Sequence, residues 1–305
     1  MTPYDSTGAF AGGRAGHAFN VSFEFFPPKT PAMAENLWQT IDRLAPLAPN
    51  FVSVTYGAGG GTRERTHAVV ERILAETSLV PAAHLTCVAA ACDEVDAVAT
   101  RYWQSGVRHI VALRGDPPEG EASFKPHRQG YGGSIALIEG LRRIGYSEVS
   151  AGAYPETHPE SRGSDADLDY LKRKVDAGAT RLITQFFFDN TAFLRLRDRL
   201  ADAGLSVPLV PGILPVTNFS QVVKFSAACG ATIPPWMSWR FEGLDDEPAT
   251  RRLVAAVTTA EQCLGLAREG IDSFHFYTLN RAELTYAICH MLGVRALSAD
   301  AETQQ

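Results

Sequence analysis

Residues 181–188 read Arg181-Leu182-Ile183-Thr184-Gln185-Phe186-Phe187-Phe188, with apolar side chains on consecutive positions. A strand with one wet face alternates apolar and polar residues. A run like this one fits a strand covered on both faces, as helices cover a parallel sheet. The strand predicted over 181–187 is followed by an amphipathic stretch over 191–203, and the same pairing recurs in both directions. Upstream, runs at 19–25, 51–56, 82–88, 109–113 and 149–154 precede helical stretches at 32–47, 63–76, 93–105, 134–144 and 166–177. Downstream, 207–213 precedes 218–228, and 273–277 precedes 282–292, with one extra helix over 248–268 before the last strand. Eight βα units in 305 residues predict an α/β fold, a closed (β/α)8 TIM barrel, in preference to an open doubly wound sheet.

Length alone would allow two domains at about 150 residues each. No composition shift marks a boundary, so residues 19–294 are expected to form a single domain between a mobile N-terminal tail, 1–18, and a C-terminal tail, 295–305. With 45% hydrophobic and 20% charged residues the chain is not of the disordered class. A net charge of −6 argues against nucleic acid or an anionic membrane as partner. No apolar run approaches the roughly 18 residues of a membrane-spanning helix, and no signal peptide opens the chain. A cytoplasmic location is therefore expected, and the five scattered cysteines fit reduced thiols.

In a barrel the active site lies at the C-terminal ends of the strands, and here nearly every end is polar. The ends are Glu24, Thr55-Tyr56, His84, Arg114-Gly115-Asp116, Tyr154 to His158, Gln185, and Asn280-Arg281. Glu24 interrupts the apolar run Val21 to Phe26, and desolvation among phenylalanines favours the protonated form that a general acid needs. The plainer reading is a rim glutamate paired with an arginine. Asp116 could hold a ligand or simply turn the chain before Pro117-Pro118. The run Gly57 to Thr62 matches neither a Walker A loop nor a dinucleotide fingerprint. His84, Cys87 and Cys92 lack a second ligand pair at metal-binding spacing, so no metal is expected. Asp167 to Lys174 reads first as a solvated helix face, and Phe186 to Phe188 as core.

The strings VSFEFFPPKT, FVSVTYGAGG, AHLTC, RHIVALRGDPP, AYPETHPE, DLDYLKRKVDAGA, ITQFFFD, PGILPVTNF and FHFYTLNRAE run in unbroken order over residues 20–294. Together they resemble the methylenetetrahydrofolate reductases of the short, single-domain bacterial type. The resemblance implies a barrel holding FAD non-covalently, with NADH or NADPH reducing the flavin and the flavin then reducing 5,10-methylenetetrahydrofolate by ping-pong turnover. It implies Glu24 as the general acid that opens the imidazolidine ring, and Asp116 beside pterin and flavin. It assigns FAD contacts to Thr55, Tyr56, Ala58, His84, Arg114, Gly115, Asp116, Tyr131, Tyr154, His158, Asp167, Arg173 and Lys174. Gln185, Gln221, Phe225 and Arg281, with Asp116, are assigned to the substrate. Methionine synthesis as the pathway fed and a homo-oligomer as the assembly are further expectations, and so is the lack of a regulatory domain binding adenosylmethionine. Two other readings remain open: a folate-binding barrel without redox chemistry, and a flavin subunit of a larger complex.

Overall fold

The computed structural model describes residues 19–56, 60–117, 120 and 123–296. The expected tail at 1–18, most of that at 295–305, and the glycines at 57 and 59 with Ala58 lie outside the described residues. The strands are β1 (Asn20–Phe25), β2 (Phe51–Val54), β3 (Pro81–Thr86), β4 (His109–Leu113), β5 (Glu148–Ala153), β6 (Arg181–Thr184), β7 (Leu209–Val210), β8 (Gly212–Ile213) and β9 (Ser273–Tyr277). All their pairings are parallel, in the order β7-β6-β5-β4-β3-β2-β1-β9-β8.

The two ends of that order are one extended segment cut at Pro211. Proline has no N–H to give a ladder, so the segment changes partner there. Its first half pairs with β6 and its second half with β9. Pro211 still contributes its carbonyl, which accepts from His275 N at 3.0 Å. A Cβ on Gly212 would sit 2.1 Å from Thr184 O, so only glycine fits where the seam is tightest. Tyr277 Oη donates to Thr184 O at 2.7 Å across it. The sheet closes as the expected eight-stranded barrel, with its seventh strand in two pieces.

The helices are α1 (Pro31–Leu44), α2 (Gly60–Glu76), α3 (Cys92–Gln104), α4 (Ser134–Ile144), α5 (Ser164–Asp176), α6 (Asn190–Asp202), α7 (Phe219–Cys229), α8 (Pro235–Phe241), α9 (Pro248–Arg268) and α10 (Ala282–Met291). Local chemistry sets several starts. Thr30 caps α1 with Pro31 behind it, Asp189 caps α6 through Thr191 N, and Asn218 caps α7 through Gln221 N. The extra helix expected over 248–268 is α9; a second insertion, the seven-residue α8, was not legible because it is too short to show a helical period.

Strand periodicity of two sorts the side chains into two layers. Val21, Phe23 and Phe25 face the helices and join the large apolar cluster with Val52, Val54, Leu85, Ile110, Phe274 and Phe276. The alternate positions face the barrel axis, where a small separate cluster holds Phe51, Ala82, Val111 and Ile183. Around it lie buried Ser22, Glu24, Ser53, His84, His109, Ser150 and His275. Branched aliphatic residues ordinarily fill this space. A barrel interior so rich in polar groups is costly to bury and asks for a use.

Candidate active site

Above the apolar plug opens a cavity of about 960 Å³ at the C-terminal ends of the strands. It lies at the upper end of the roughly 300–1,000 Å³ that small-molecule sites span. Glu24 lines its base and is 7% exposed. Its Oε2 lies 3.3 Å from His84 Nε2 on β3 and 3.8 Å from His275 Nε2 on β9. The neighbour predicted as the plain alternative, an arginine, is replaced by two imidazoles. Burial holds His84 below the usual imidazole range against the opposing pull of Glu24, so at neutral pH it is uncharged. His84 Nε2 and Thr86 Oγ1, both lining the cavity, are buried without a hydrogen-bond partner among the described residues.

The strand end that carries Glu24 is clamped to the turn after β9. Thr278 Oγ1 donates to Glu24 O at 2.6 Å. Asn280 accepts from Phe26 N at 2.9 Å and donates to Phe26 O at 2.9 Å. Leu279 and Asn280 both hold left-handed backbone, at φ 51° and 53°. Such strain in consecutive non-glycine residues persists only where surrounding contacts demand it. Leu279 lines the cavity, so the strain is spent at the site.

The opposite wall is cationic and aromatic. Lys174 on α5 is 8% exposed and donates from Nζ to Gly152 O at 2.6 Å. Burial lowers its pKa to about 8. Its ammonium lies 4.9 Å from the centre of the Tyr170 ring, a cation–π contact. Asp167 accepts from His158 N at 2.8 Å and holds the loop after β5, where the His158 ring meets Tyr154 edge-on at 4.4 Å. Arg114 pairs with Glu160 from that loop. Gly115, at φ +87°, brings the backbone where a Cβ would lie 2.5 Å from Val88 Cγ1.

The structure thus brings together, on one cavity, Glu24, Thr55, Tyr56, His84, Arg114, Gly115, Asp116, Tyr154, His158, Asp167, Lys174, Gln185 and Phe225. Phe225 stands at the rim, 47% exposed. Four expected residues lie off its lining. Tyr131 packs against Gly140 of α4 and donates to Asp96 of α3 at 2.6 Å, so its hydroxyl is already spent between helices. Arg173 is exposed on α5, Gln221 exposed on α7, and Arg281 exposed at the start of α10. Ala58 lies outside the described residues. Sequence reasoning missed His275, Tyr277 and Tyr170, all on the lining. The first two share β9 parity, which a closed barrel turns inward. Burial pushes the Tyr277 phenol well above its ordinary pKa, so it stays a hydrogen-bond donor.

A closed (β/α)8 barrel with a buried carboxylate at the base of a deep cavity and a basic, aromatic wall opposite has the build of a barrel enzyme for a large, anionic, ring-bearing ligand. The chain belongs to the methylenetetrahydrofolate reductase family: residues 13–293 match the model described as methylenetetrahydrofolate reductase. It is 54% identical over 276 residues to the 5,10-methylenetetrahydrofolate reductase of Salmonella typhimurium, covering 90% of this chain and 91% of that one. The Escherichia coli protein of the same name is 53% identical with the same coverage. Methylenetetrahydrofolate reductase (NADH) 1 of Arabidopsis thaliana is 33% identical over 90% of this chain and 48% of its own. Among solved structures, an uncharacterized Clostridium thermocellum protein described as binding two copies of 5-methyl-5,6,7,8-tetrahydrofolic acid superposes with a TM-score of 0.60 at 14% identity, covering 91% and 94% of the two chains. That likeness carries the barrel fold.

Proposed function

We propose that the barrel over residues 19–294 reduces 5,10-methylenetetrahydrofolate to 5-methyltetrahydrofolate, with NADH or NADPH as the source of hydride and FAD held non-covalently in the cavity. The observation that carries this reading is Glu24: a carboxyl 7% exposed at the base of the cavity, flanked by two imidazoles, in a chain more than half identical to a named relative. The donor set suits a flavin dinucleotide. Arg114, His158 and Lys174 can face a diphosphate, while the unpartnered His84 Nε2 and Thr86 Oγ1 offer polar groups for an isoalloxazine edge. When bound, FAD supplies reversible two-electron hydride chemistry.

The chain's own residues do the rest. Glu24 gives a proton to a ring nitrogen of the folate, which lets the five-membered ring open. Asp116 stands at the rim, where its negative charge favours a cationic folate and the pterin's donors. Gln185 donates or accepts at the pterin edge, and Phe225 offers a stacking face. Phe26, Leu279 and Phe225 add apolar surface to the lining, against which the rings of a ligand can pack. Trp236 and Trp239 on α8 and Leu253 on α9 are exposed, and we assign the expected homo-oligomer contact to that surface.

The test is direct. Purified protein should be yellow, oxidise NADH with menadione as acceptor, and reduce methylenetetrahydrofolate. Glu24→Gln should retain flavin and menadione activity while folate reduction falls by about 100-fold or more, the usual weight of a general acid. A protein that binds folate yet cannot be loaded with flavin would sink the redox reading. A flavoprotein bleached by a protein donor but not by a nicotinamide would make it a subunit of a larger assembly.

A further inference from the structure

Glu24 does not stand alone on β1. Ser22, two residues earlier and therefore on the same face, places its Oγ 2.8 Å from His275 Nδ1. The parallel register sets Ser22 beside His275 and Glu24 beside Tyr277. Both members of the pair are buried, Ser22 at 3% and His275 at 1% exposed. The His275 ring is held on its other sides as well. Phe51 stacks on it at 5.6 Å and 17°, and Tyr277 meets it edge-on at 5.4 Å. Among the titratable groups around it are Glu24 on β1, His84 on β3, His109 on β4 and Tyr277 on β9. A ring fixed this way has one free edge, Nε2, and that edge faces Glu24 Oε2 at 3.8 Å.

Resting on the reading of Glu24 as the acid, we propose that Ser22 and His275 are positioning residues that decide which oxygen of Glu24 carries the proton. Ser22 Oγ–H has two acceptors in reach, Nδ1 at 2.8 Å and Phe274 O at 3.4 Å; given to the nearer one, Nδ1, its proton leaves the ring's hydrogen on Nε2, pointed at Oε2. A carboxyl oxygen facing an N–H is the accepting one, so the proton resides on Oε1, the oxygen left for substrate. His84 Nε2 lies 3.3 Å from the same Oε2 with no hydrogen bond between them. A spacing of 3.8 Å is longer than a hydrogen bond, and catalytic hydrogen bonds that are long in the free enzyme commonly tighten when substrate fills the site.

The two amide side chains separate this role from mere filling. His275→Gln can return an N–H near the place of Nε2, whereas His275→Asn can reach only toward Ser22. We expect His275→Asn and Ser22→Ala to slow folate reduction by about 10- to 100-fold more than they slow NADH–menadione turnover, and to displace the pH profile of the folate step. His275→Gln should recover most of that loss. Nitrogen-15 spectra of histidine-labelled, flavin-free wild-type protein should show a His275 ring protonated at Nε2 and bare at Nδ1, with that signature lost in Ser22→Ala. Ser22→Ala removes a single oxygen, so it reports even if the histidine variants fold poorly. Equal folate rates and pH profiles in the Asn and Gln variants, or a ring protonated at Nδ1 in wild type, would overturn the proposal. A wild-type protein inert toward methylenetetrahydrofolate would instead overturn the proposed function, while the spectra would still decide the ring's orientation.

Discussion

At the scale of single residues, the cavity joins an acid at its base to a lysine on its wall, and the lysine yields a pH-dependent prediction. Burial lowers Lys174 to about 8, so it is cationic below that pH and neutral above it. Its contribution to holding a phosphate-bearing ligand is therefore full below pH 8 and fades as pH rises past it. Flavin affinity, followed by fluorescence quenching, should begin to decline near pH 8 in the wild type, and the decline should level off above the higher pKa that a bound phosphate gives the lysine. Lys174→Met should bind flavin about tenfold more weakly at pH 7 and show no such decline, as expected for loss of a charge-assisted hydrogen bond. Affinity equal to wild type would remove Lys174 from the binding wall. Glu24 was legible in sequence as a carboxylate out of place in an apolar run. His275 was not, because a histidine between two phenylalanines in a strand reads as core until the strand beside it is known.

Among the elements, the turn after β9 has the largest leverage. Asn280 supplies both hydrogen bonds that clamp Phe26 and itself adopts left-handed backbone, which asparagine tolerates better than other side-chain-bearing residues. Asn280→Ala leaves Phe26 N and O without that partner and adds the left-handed penalty. We expect a loss of about 2–4 kcal/mol in unfolding free energy, with the flavin site loosened at Glu24 in proportion. Chemical denaturation of the flavin-free protein measures it, and a loss below about 0.5 kcal/mol would show that the clamp is incidental. The helices and strands themselves were legible to within a few residues because caps and periodicity are local. The break at Pro211 and the short α8 were not: the first read as part of one strand, and the second offers less than two full turns of pattern.

Over the whole molecule, the polar barrel interior sets the response to acid. His109 on β4 is 1% exposed, shares a hydrogen bond with Ser150 at 2.7 Å, and packs edge-on to Phe51. Burial first, and the nearby Arg181 second, lower it to about 3. Unfolding returns it to about 6.5, so the unfolded chain binds the extra proton between those values. The stability it contributes is complete above pH 6.5 and is lost as pH falls toward 3. His109→Gln should flatten that limb by up to about 1.4 kcal/mol per pH unit. Superimposable stability-versus-pH curves for the two proteins would show that His109 does not govern acid unfolding.

The amino-acid sequence by itself determined the alternation of elements, the parity that puts Ser22 and Glu24 on one face of their strand and His275 and Tyr277 on one face of theirs, and the polar strand ends that mark the site's rim. These follow from periods of two and 3.6 residues, which depend on neighbours along the chain. Only the tertiary structure decided that the last strand lies beside the first, in the register that sets Ser22 against His275, 253 residues away. Register belongs to the hydrogen-bond ladder between strands, so it has no local signature. The same closure gave Tyr131 to a helix pair, turned Lys174 into the cavity, and left its neighbour Arg173 in solvent.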